Sequence, residues 1–317
     1  MAAMPISLPD WQPRAPLQLL SLPWLTRAGI ELAVLRLDLL DPLLSGNKWF
    51  KLTAHIEAAA AQGAEGLISL GGAHSNHLHA LAAAGQRFSF PTVGLLRGEP
   101  HDTPTVRDLH AFGMQLHWLG YGGYRARQQA GFWAPWRSQY PHLLPVAEGG
   151  LGLAAASSCK AIVSQAREQL ANLGWDDFHG WWLAAGTGTT AAGIVLAEAG
   201  KRLVHVASAV PASHGVGRQL AGLLQEAGRA DAGYRLCDAS RGGFGRVDTV
   251  LARFMVDCEQ HGQLPLDPLY TGKALLALRD HVEAGYFAAG TRLLFLHSGG
   301  LQGCRAMAPR LQALVAG

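Results

Sequence analysis

Two lysines three residues apart, Lys48 and Lys51, lie at the start of a segment with helical character. Residues at positions i and i+3 share one face of a helix, so both amines could reach a single ligand. One amine could form a Schiff base with a carbonyl compound while the other binds an anion. The pair therefore predicts covalent amine chemistry near the beginning of a helix.

A glycine-rich turn, Gly186-Thr187-Gly188-Thr189-Thr190, follows an apolar stretch and opens a helical one. Glycine allows backbone N–H groups to face a phosphate, and a helix N-terminus adds a favourable dipole. No Gly-Lys-Ser/Thr follows, and the pattern is not a full GxGxxG. The turn alone therefore predicts either a phosphate site or an ordinary strand–helix connection.

A second glycine turn leads into Ser75, Asn76 and His77, which could donate hydrogen bonds to a carboxylate at a helix N-terminus. His74, His77 and His79 lack the i, i+4 spacing and the glutamate of a helical zinc site, so we predict no metal here. The alternative is a polar helix cap with one buried and two exposed imidazoles.

Two further segments carry hydroxyl groups that could face a ligand. Tyr270, within Leu266–Ala274, is either an acid–base or substrate-orienting phenol or a core tyrosine with a satisfied hydroxyl. Ser298 follows an apolar run, and a residue at the carboxyl end of a strand points into the crevice where open α/β sheets bind ligands. The alternative for Ser298 is a cap on the last helix.

Short apolar runs and alanine-rich helical stretches alternate along the chain, which predicts α/β domains with parallel sheets. The predicted strands are Leu67–Gly71, Thr92–Leu96, Gln115–Leu119, Leu143–Ala147, Trp181–Ala185, Leu203–Ala207 and Leu293–His297. The predicted helices are Ser75–Arg87, one from about Pro104, Ala154–Leu173, and one from the threonine-rich turn to about Ala199. Trp133–Trp136 is predicted as a loop or lid, and the N-terminal segment as an extended arm.

Composition narrows the class of protein. Of 317 residues, 49% are hydrophobic and 15% charged, which suits two domains that share a cleft. The net charge of +3, without blocks of like charge, disfavours a nucleic-acid partner. The cysteines are dispersed and form no CxxC, the N-terminus shows no secretory pattern, and no apolar run reaches roughly 18 residues. These features predict a soluble cytoplasmic protein without a membrane partner.

In this order, the motifs resemble those of the D-cysteine desulfhydrase/1-aminocyclopropane-1-carboxylate deaminase family, which are pyridoxal-phosphate (PLP) enzymes of fold type II, the tryptophan-synthase-β-like group. The matching segments are Gly46–Leu52, His74–Asn76, Leu266–Ala274 and His297–Gly300. The resemblance runs from about residue 15 to residue 303. It implies two domains, each a twisted, mostly parallel sheet flanked by helices, with residues 1–49 and 151–317 in the larger and 50–150 in the smaller. It also implies PLP in the cleft between them and a homodimer.

The resemblance assigns cofactor roles by position. Lys48 resembles the lysine that holds PLP as a Schiff base and moves the α-proton, and Lys51 resembles a phosphate contact. Asn76 resembles the residue at the PLP 3′-oxygen. The Gly186–Thr190 turn resembles the phosphate cup, and Ser298 resembles the hydroxyl beside the pyridine nitrogen.

On the substrate side, Ser75 resembles an acid–base helper that, with Asn76 and His77, surrounds the substrate carboxylate and reacting centre, and Tyr270 resembles the active-site tyrosine. Several positions depart from the family pattern, among them Leu35–Asp38, Phe50 and His74, and two more lie on the substrate side. Phe244 stands where the family has a second tyrosine, and Thr271 replaces the glutamate of the deaminase branch, which disfavours cyclopropane-ring opening.

The implied activity is α,β-elimination on a small amino acid, foremost D-cysteine, giving pyruvate, ammonia and the leaving group. Alternatives are 1-aminocyclopropane-1-carboxylate deamination, sulfonate elimination from cysteate, racemisation, or PLP binding without turnover. A Rossmann-type nucleotide-binding protein would need an acidic residue roughly 20 residues beyond the threonine-rich turn. Val206–Val210 contains none, which disfavours that class.

Overall fold

The computed structural model describes residues 5–7 and 9–316. The prediction that the N-terminus carries no secretory signal falls partly on residues 1–4, which lie outside the described residues. The described residues form ten strands: β1 (Leu17–Leu20), β2 (Glu31–Arg36), β3 (Gly66–Gly71), β4 (Thr92–Leu96), β5 (Gln115–Trp118), β6 (Leu143–Pro145), β7 (Gly180–Ala185), β8 (Leu203–Ser208), β9 (Tyr234–Asp238) and β10 (Arg292–His297). Together with the helices between them they confirm the predicted α/β class.

The helices are mostly short, and several join consecutive parallel strands. Within the described residues they are α1 (Pro23–Ala28), α2 (Asn47–Ala61), α3 (Asn76–Phe88), α4 (Pro104–Ala111), α5 (Gly120–Arg125), α6 (Ala134–Gln139), α7 (Leu153–Ser158), α8 (Lys160–Arg167), α9 (Thr189–Glu198), α10 (Val216–Glu226), α11 (Thr249–Gly262), α12 (Thr271–Glu283) and α13 (Cys304–Ala316). In this part of the chain no helix has the length and apolar character needed to span a membrane.

The chain divides into two compact units. The smaller contains Lys48–Ala155 and the described residues up to Gln12, and the larger contains Pro13–Asn47 and the described residues from Ala156 onward. The N-terminal residues therefore differ from the prediction, which places residues 1–49 in the larger domain.

Local contacts explain why the first residues lie in the smaller unit. The Ile6 N–H donates to the Ala64 carbonyl at 2.9 Å. The Trp11 ring packs edge-on against Trp49, with 4.6 Å between ring centroids, and burial of such large rings is strongly stabilising.

The smaller unit is built on a four-stranded parallel sheet in the order β5-β4-β3-β6. Every residue of β3 and β4 is buried. Strands covered on both faces read as continuous apolar runs, which is why the sequence located both of them correctly.

The Trp133–Trp136 segment is not a loop or lid, because helix α6 begins at Ala134. Trp133 and Trp136 are partly buried and pack against a cluster that includes Ile68 and Val93 of the sheet. Burial of the two indole rings therefore holds this segment on the core of the smaller unit.

The larger unit is built on a six-stranded sheet in the order β1-β2-β10-β7-β8-β9. Strand β1 pairs antiparallel with β2, and the other neighbours are parallel. The prediction of an extended N-terminal arm is wrong for Leu17–Ala28, which form β1 and α1. Helix α1 begins with Pro23, which suits a first turn, and ends at Gly29 in the left-handed conformation (φ 64°).

The predicted long helix Ala154–Leu173 is broken into α7, α8 and a 3₁₀ turn at Leu170–Leu173. The break at Cys159 coincides with a close approach of helix α9. A Cβ added at Gly193 would lie 2.3 Å from the Ala156 carbonyl oxygen and 2.6 Å from the Cys159 Cβ. Because this contact joins helices that are distant in sequence, the hydrophobic periodicity of either segment does not reveal it. The break in the helix could therefore not be predicted from the sequence.

The turn before α2 is fixed by backbone contacts. The Gly46 N–H donates to the Leu37 carbonyl at 2.8 Å, and the Asn47 N–H donates to the Ser298 carbonyl at 3.1 Å. Gly46 has a φ of +78°, and a Cβ there would lie 2.3 Å from the Ser298 carbonyl oxygen. Only glycine satisfies both the conformation and the space at this position.

We expect Gly46→Ala to lower the free energy of unfolding by about 3 kcal/mol or more, since backbone strain and a steric clash add. Gly200→Ala is the matched control, because Gly200 also has a positive φ (+84°) but nothing within 4 Å of an added Cβ. The control should lose only about 1–2 kcal/mol from the left-handed conformation. Urea unfolding of both variants provides the measurement; equal losses would show that the close approach to Ser298 does not limit residue 46.

Candidate functional site

The threonine-rich turn of the larger unit connects the end of β7 to the start of α9. Gly188 has a left-handed conformation (φ 72°) directly before the first helical residue. The Thr187 and Thr189 hydroxyls are 3.0 Å apart and hydrogen-bonded. Because the first N–H groups of a helix lack intrahelical partners, this turn combines hydroxyl donors with backbone donors, the donor set that binds a phosphate.

Asn47 connects this turn to the end of β10. Its side-chain Nδ2 donates to the Thr190 Oγ1 at 2.8 Å, while its backbone N–H donates to the Ser298 carbonyl. Asn47 is buried and immediately precedes Lys48 in the chain. Of the predicted site residues, the larger unit thus brings Thr190 and Ser298 together around one asparagine.

Tyr270 lies against the same turn. A Cβ added at Gly186 would approach the Tyr270 Cε1 to 2.9 Å, so the phenol ring occupies the space beside this glycine. The Phe244 ring packs on Tyr270 with 5.5 Å between centroids. Phe244 is 38% exposed, which is high for a large apolar residue. Phe244, Tyr270 and Gly186 therefore form one continuous surface, called here the aromatic wall.

Asp267 holds Tyr270 in place. Its buried carboxylate accepts hydrogen bonds from the backbone N–H groups of Leu269, Tyr270 and Thr271 at 2.9, 2.7 and 2.8 Å. The Thr271 hydroxyl donates to the same carboxylate at 2.7 Å, and Thr271 is fully buried. Thr271 is therefore part of the helix cap of α12. This role of Asp267 was not predicted, although an Asp-Pro pair before a helix is a recognisable turn signal.

A buried trio, the Arg36–Asp38 ion pair and the His297 imidazole, supports the strand end that carries Ser298. The Arg36 guanidinium pairs with Asp38 at 2.6 Å, and Asp38 Oδ1 lies 3.1 Å from the His297 Nδ1. The His297 Nε2 donates to the Pro265 carbonyl at 2.8 Å. Burial lowers the pKa of His297, and the Asp38 carboxylate opposes that shift. The sequence analysis assigned no role to this trio.

In the smaller unit, Lys48 is partly buried and Lys51 is buried. The Lys51 Nζ donates to the Gly149 carbonyl at 3.3 Å. An added Cβ at Gly150 would lie 3.4 Å from the Lys51 Cβ and 3.5 Å from the His77 Cε1. The glycine turn after β6 therefore lies beside both Lys51 and His77.

The hydrogen bonds of Ser69 fix the tautomer of His77. The Ser69 hydroxyl donates to the Val146 carbonyl at 2.9 Å, so it accepts from the His77 Nε2–H at 2.8 Å. The His77 Nδ1 is then an acceptor, and it is buried without a hydrogen-bond partner. Burial lowers the pKa of His77 well below its usual value, helped by His55 and both lysines. His77 is therefore a neutral imidazole that presents an unused acceptor.

The histidines around Ser75 differ from the sequence expectation. His77 and His79 are buried and His74 is exposed, whereas the alternative of a polar helix cap had one buried and two exposed imidazoles. The His79 Nε2 contacts Asp108 at 3.1 Å, which accounts for its burial. Ser75 caps α3 by accepting the Leu78 N–H at 3.1 Å. Across residues 5–7 and 9–316, no group of three or more acidic, histidine or cysteine side chains could hold a metal ion.

A family model described as pyridoxal-phosphate dependent enzyme matches residues 11–299. The chain belongs to this family. This PLP-dependent enzyme is 29% identical over 299 residues to the 1-aminocyclopropane-1-carboxylate deaminase of Burkholderia vietnamiensis, covering 83% of the chain and 84% of the relative. It is 27% identical over 300 residues to the mitochondrial bifunctional D-cysteine desulfhydrase/1-aminocyclopropane-1-carboxylate deaminase of Arabidopsis thaliana, covering 87% of the chain and 73% of the relative.

The crystal structure of an ACC deaminase homologue aligns with a TM-score of 0.83 at 22% identity, covering 99% of this chain and 97% of the other. This likeness confirms the predicted fold, and family membership confirms PLP as the cofactor. The residues present suit that cofactor. The threonine-rich turn offers the donors that a phosphate needs, and the smaller unit offers two amines beside an unpartnered acceptor, the His77 Nδ1.

The neutral state of His77 predicts a pH-dependent stability. As the pH falls below about 6.5, the unfolded chain takes up a proton that the folded chain excludes, so stability decreases by up to about 1.4 kcal/mol per pH unit. We expect His77→Gln to flatten this decrease in urea unfolding between pH 7 and pH 5. His142→Gln, at an exposed histidine of the same unit, is the matched control. An unchanged slope in His77→Gln would mean that the folded chain accommodates the imidazolium.

Proposed function

We propose that this PLP-dependent enzyme is a lyase that removes a β-substituent from a small amino acid, with D-cysteine as the leading substrate, and releases pyruvate, ammonia and the leaving group. The proposal rests on the contacts of Asn47. This residue binds the Thr190 hydroxyl and the Ser298 carbonyl and is followed directly by Lys48. Asn47 thereby contacts both the threonine-rich turn and Ser298, the residue that carries the hydroxyl at the end of β10. The Lys48 amine follows it directly in the chain.

In this proposal, Lys48 holds PLP through its amine, and Gly186–Thr190 together with Lys51 binds the phosphate. Asn76 contacts the 3′-oxygen, and the Ser298 hydroxyl contacts the pyridine nitrogen. When bound, the cofactor supplies an electron sink for the carbanion that forms at the substrate α-carbon. A neutral hydroxyl beside the pyridine nitrogen leaves the cofactor ring less electron-withdrawing than a carboxylate partner would. This favours rapid loss of a β leaving group over transamination.

The proton transfers fall to groups of this chain. Lys48 removes the α-proton, because a neutral lysine amine released when substrate takes its place can act as a general base. Ser75 accepts the Leu78 N–H, which leaves its own O–H to donate to the substrate carboxylate or the departing group. The His77 Nδ1 can only accept, so it orients a donor such as the substrate ammonium group.

The aromatic wall supports a small substrate with a thiol or another uncharged leaving group. Phe244 contributes no hydroxyl, so Tyr270 is the phenol that this wall offers for proton transfer. Thr271 is buried and bonded to Asp267, so it presents no acid to the substrate. These contacts favour elimination over opening of a cyclopropane ring.

The second candidate is 1-aminocyclopropane-1-carboxylate deaminase, which is favoured by the names of the two relatives described above. The two candidates differ in product, because elimination from cysteine gives pyruvate and ring opening gives 2-oxobutanoate. Sulfonate loss from cysteate, racemisation and PLP binding without turnover are the remaining outcomes. The homodimeric state and the cytoplasmic location stay predictions.

Lys48→Ala should abolish the visible imine absorption that the purified protein shows with added PLP, because no other amine forms the bond. Lys201→Ala, at an exposed lysine, should leave the band and its intensity unchanged. Persistence of the band in Lys48→Ala would assign the Schiff base to another lysine and overturn the role of Lys48.

A panel of both cysteine enantiomers, 1-aminocyclopropane-1-carboxylate and cysteate tests the substrate. We expect pyruvate from D-cysteine at the highest kcat/KM, and Ser75→Ala should lower that value by roughly 10²–10⁴-fold. The same variant should lose about 1 kcal/mol of stability with the helix cap. Ser75→Asp, which can still accept the Leu78 N–H but has no O–H to donate, separates the two effects. Larger yields of 2-oxobutanoate from the cyclopropane substrate would favour the second candidate.

A further inference from the structure

Lys273 is a buried lysine outside the proposed chemistry. It lies in the first turn of α12, three residues after Tyr270, and is 1% exposed. Its Nζ donates to the carbonyls of Ser240, Gly243 and Phe244 at 2.9, 2.7 and 2.8 Å. The three N–H donors of the ammonium group are thus all used on one loop.

The charge of Lys273 is compensated only at a distance. Within the described part of the chain no carboxylate forms an ion pair with it, and burial lowers the pKa of Lys273 to about 8, with the Arg241 guanidinium acting in the same direction. Asp267, Asp238 and Asp248 oppose the shift. Burying an ammonium in this way costs free energy, so the gain must come from the carbonyls that it binds.

The loop held by Lys273, Ser240–Phe244, has an unfavourable backbone. Arg241 has a φ of 55°, rare for a residue with a side chain, and Gly242 has a φ of 79°. The left-handed conformation is strained for Arg241, though not for Gly242, and at a non-glycine residue it persists only where surrounding contacts impose it. The last residue of the loop, Phe244, packs on Tyr270 as part of the aromatic wall.

We propose that Lys273 is a positioning residue, whose ammonium group fixes the Ser240–Phe244 loop so that Phe244 completes the aromatic wall beside Tyr270. Its effect on turnover rests on the proposed function of that wall, whereas its effect on the loop does not. A neutral amine has two N–H donors and a lone pair directed at a carbonyl, so the loop loosens when Lys273 loses its proton.

Hydrogen exchange of the PLP-loaded enzyme tests the loop directly. We expect amides of residues 241–246 to exchange roughly tenfold or more faster in Lys273→Met, because local opening becomes easier. Lys201→Met, at an exposed lysine, is the matched control and should exchange as the parent does. Unchanged protection of residues 241–246 in a folded Lys273→Met protein would overturn the proposal.

A pH series on the parent enzyme covers the case in which Lys273→Met does not fold. After correction for the intrinsic exchange rate, protection of residues 241–246 should fall as the pH rises from 7 to 9.5, with a midpoint near 8, while the amides of β7 stay protected. Constant protection of the loop across this range would equally contradict the proposal.

A double-mutant cycle tests the connection to turnover. If Lys273 acts through Phe244, Lys273→Met and Phe244→Ala should each raise KM more than they lower kcat, and the double variant should be no worse than Phe244→Ala alone. Additive losses in kcat/KM would show that Lys273 does not act through Phe244. If the parent has no lyase activity, the proposed function fails while the exchange experiments still decide the role of Lys273.

Discussion

The close approach of Gly46 and Asn47 to the end of β10 is the constraint on which the candidate site residues of the larger unit depend. Gly46 and Gly299 pack so closely that neither has room for a Cβ. A Cβ on Gly46 would clash with the Ser298 carbonyl oxygen, and a Cβ on Gly299 would clash with the Gly46 Cα. Such backbone-to-backbone contact cannot adjust as a flexible side chain can. The residue before Lys48 is therefore positioned by the sheet itself, and its side chain orders the helix that begins at Thr189.

A second layer of buried polar groups orients the residues that could touch a ligand. Asp267 holds the turn that carries Tyr270, Ser69 sets the tautomer of His77, and Lys273 holds the loop that carries Phe244. Each supporting group is buried and makes several hydrogen bonds, so its geometry is well determined. Tyr270 and Phe244 can then remain partly exposed without being loosely held.

Local sequence signals were sufficient for the central strands of the smaller unit, although β2, which is also buried from Leu32 to Arg36, was not predicted. Thr92–Leu96 is a strand with the predicted bounds, and α4 begins at Pro104 as expected. Strand β9 was missed because its residues are half-buried or exposed, so no apolar run marks it. The helix break at Cys159 and the acceptor on His77 were also missed, because each depends on contacts with segments far away in sequence. The site motifs could be recognised, whereas the groups that orient them could not.

The trio of Arg36, Asp38 and His297 restricts how this enzyme can diverge. Loss of Arg36 or Asp38 leaves the other as an uncompensated charge in the interior, a cost of about 3–5 kcal/mol that few domains tolerate. Replacement by apolar residues becomes accessible only when the members change together, so single-step evolutionary routes are closed. Phe244, on an exposed loop, carries no such penalty. Lineages descended from this protein should therefore diversify their substrates at the aromatic wall long before they alter the strand end beneath Ser298.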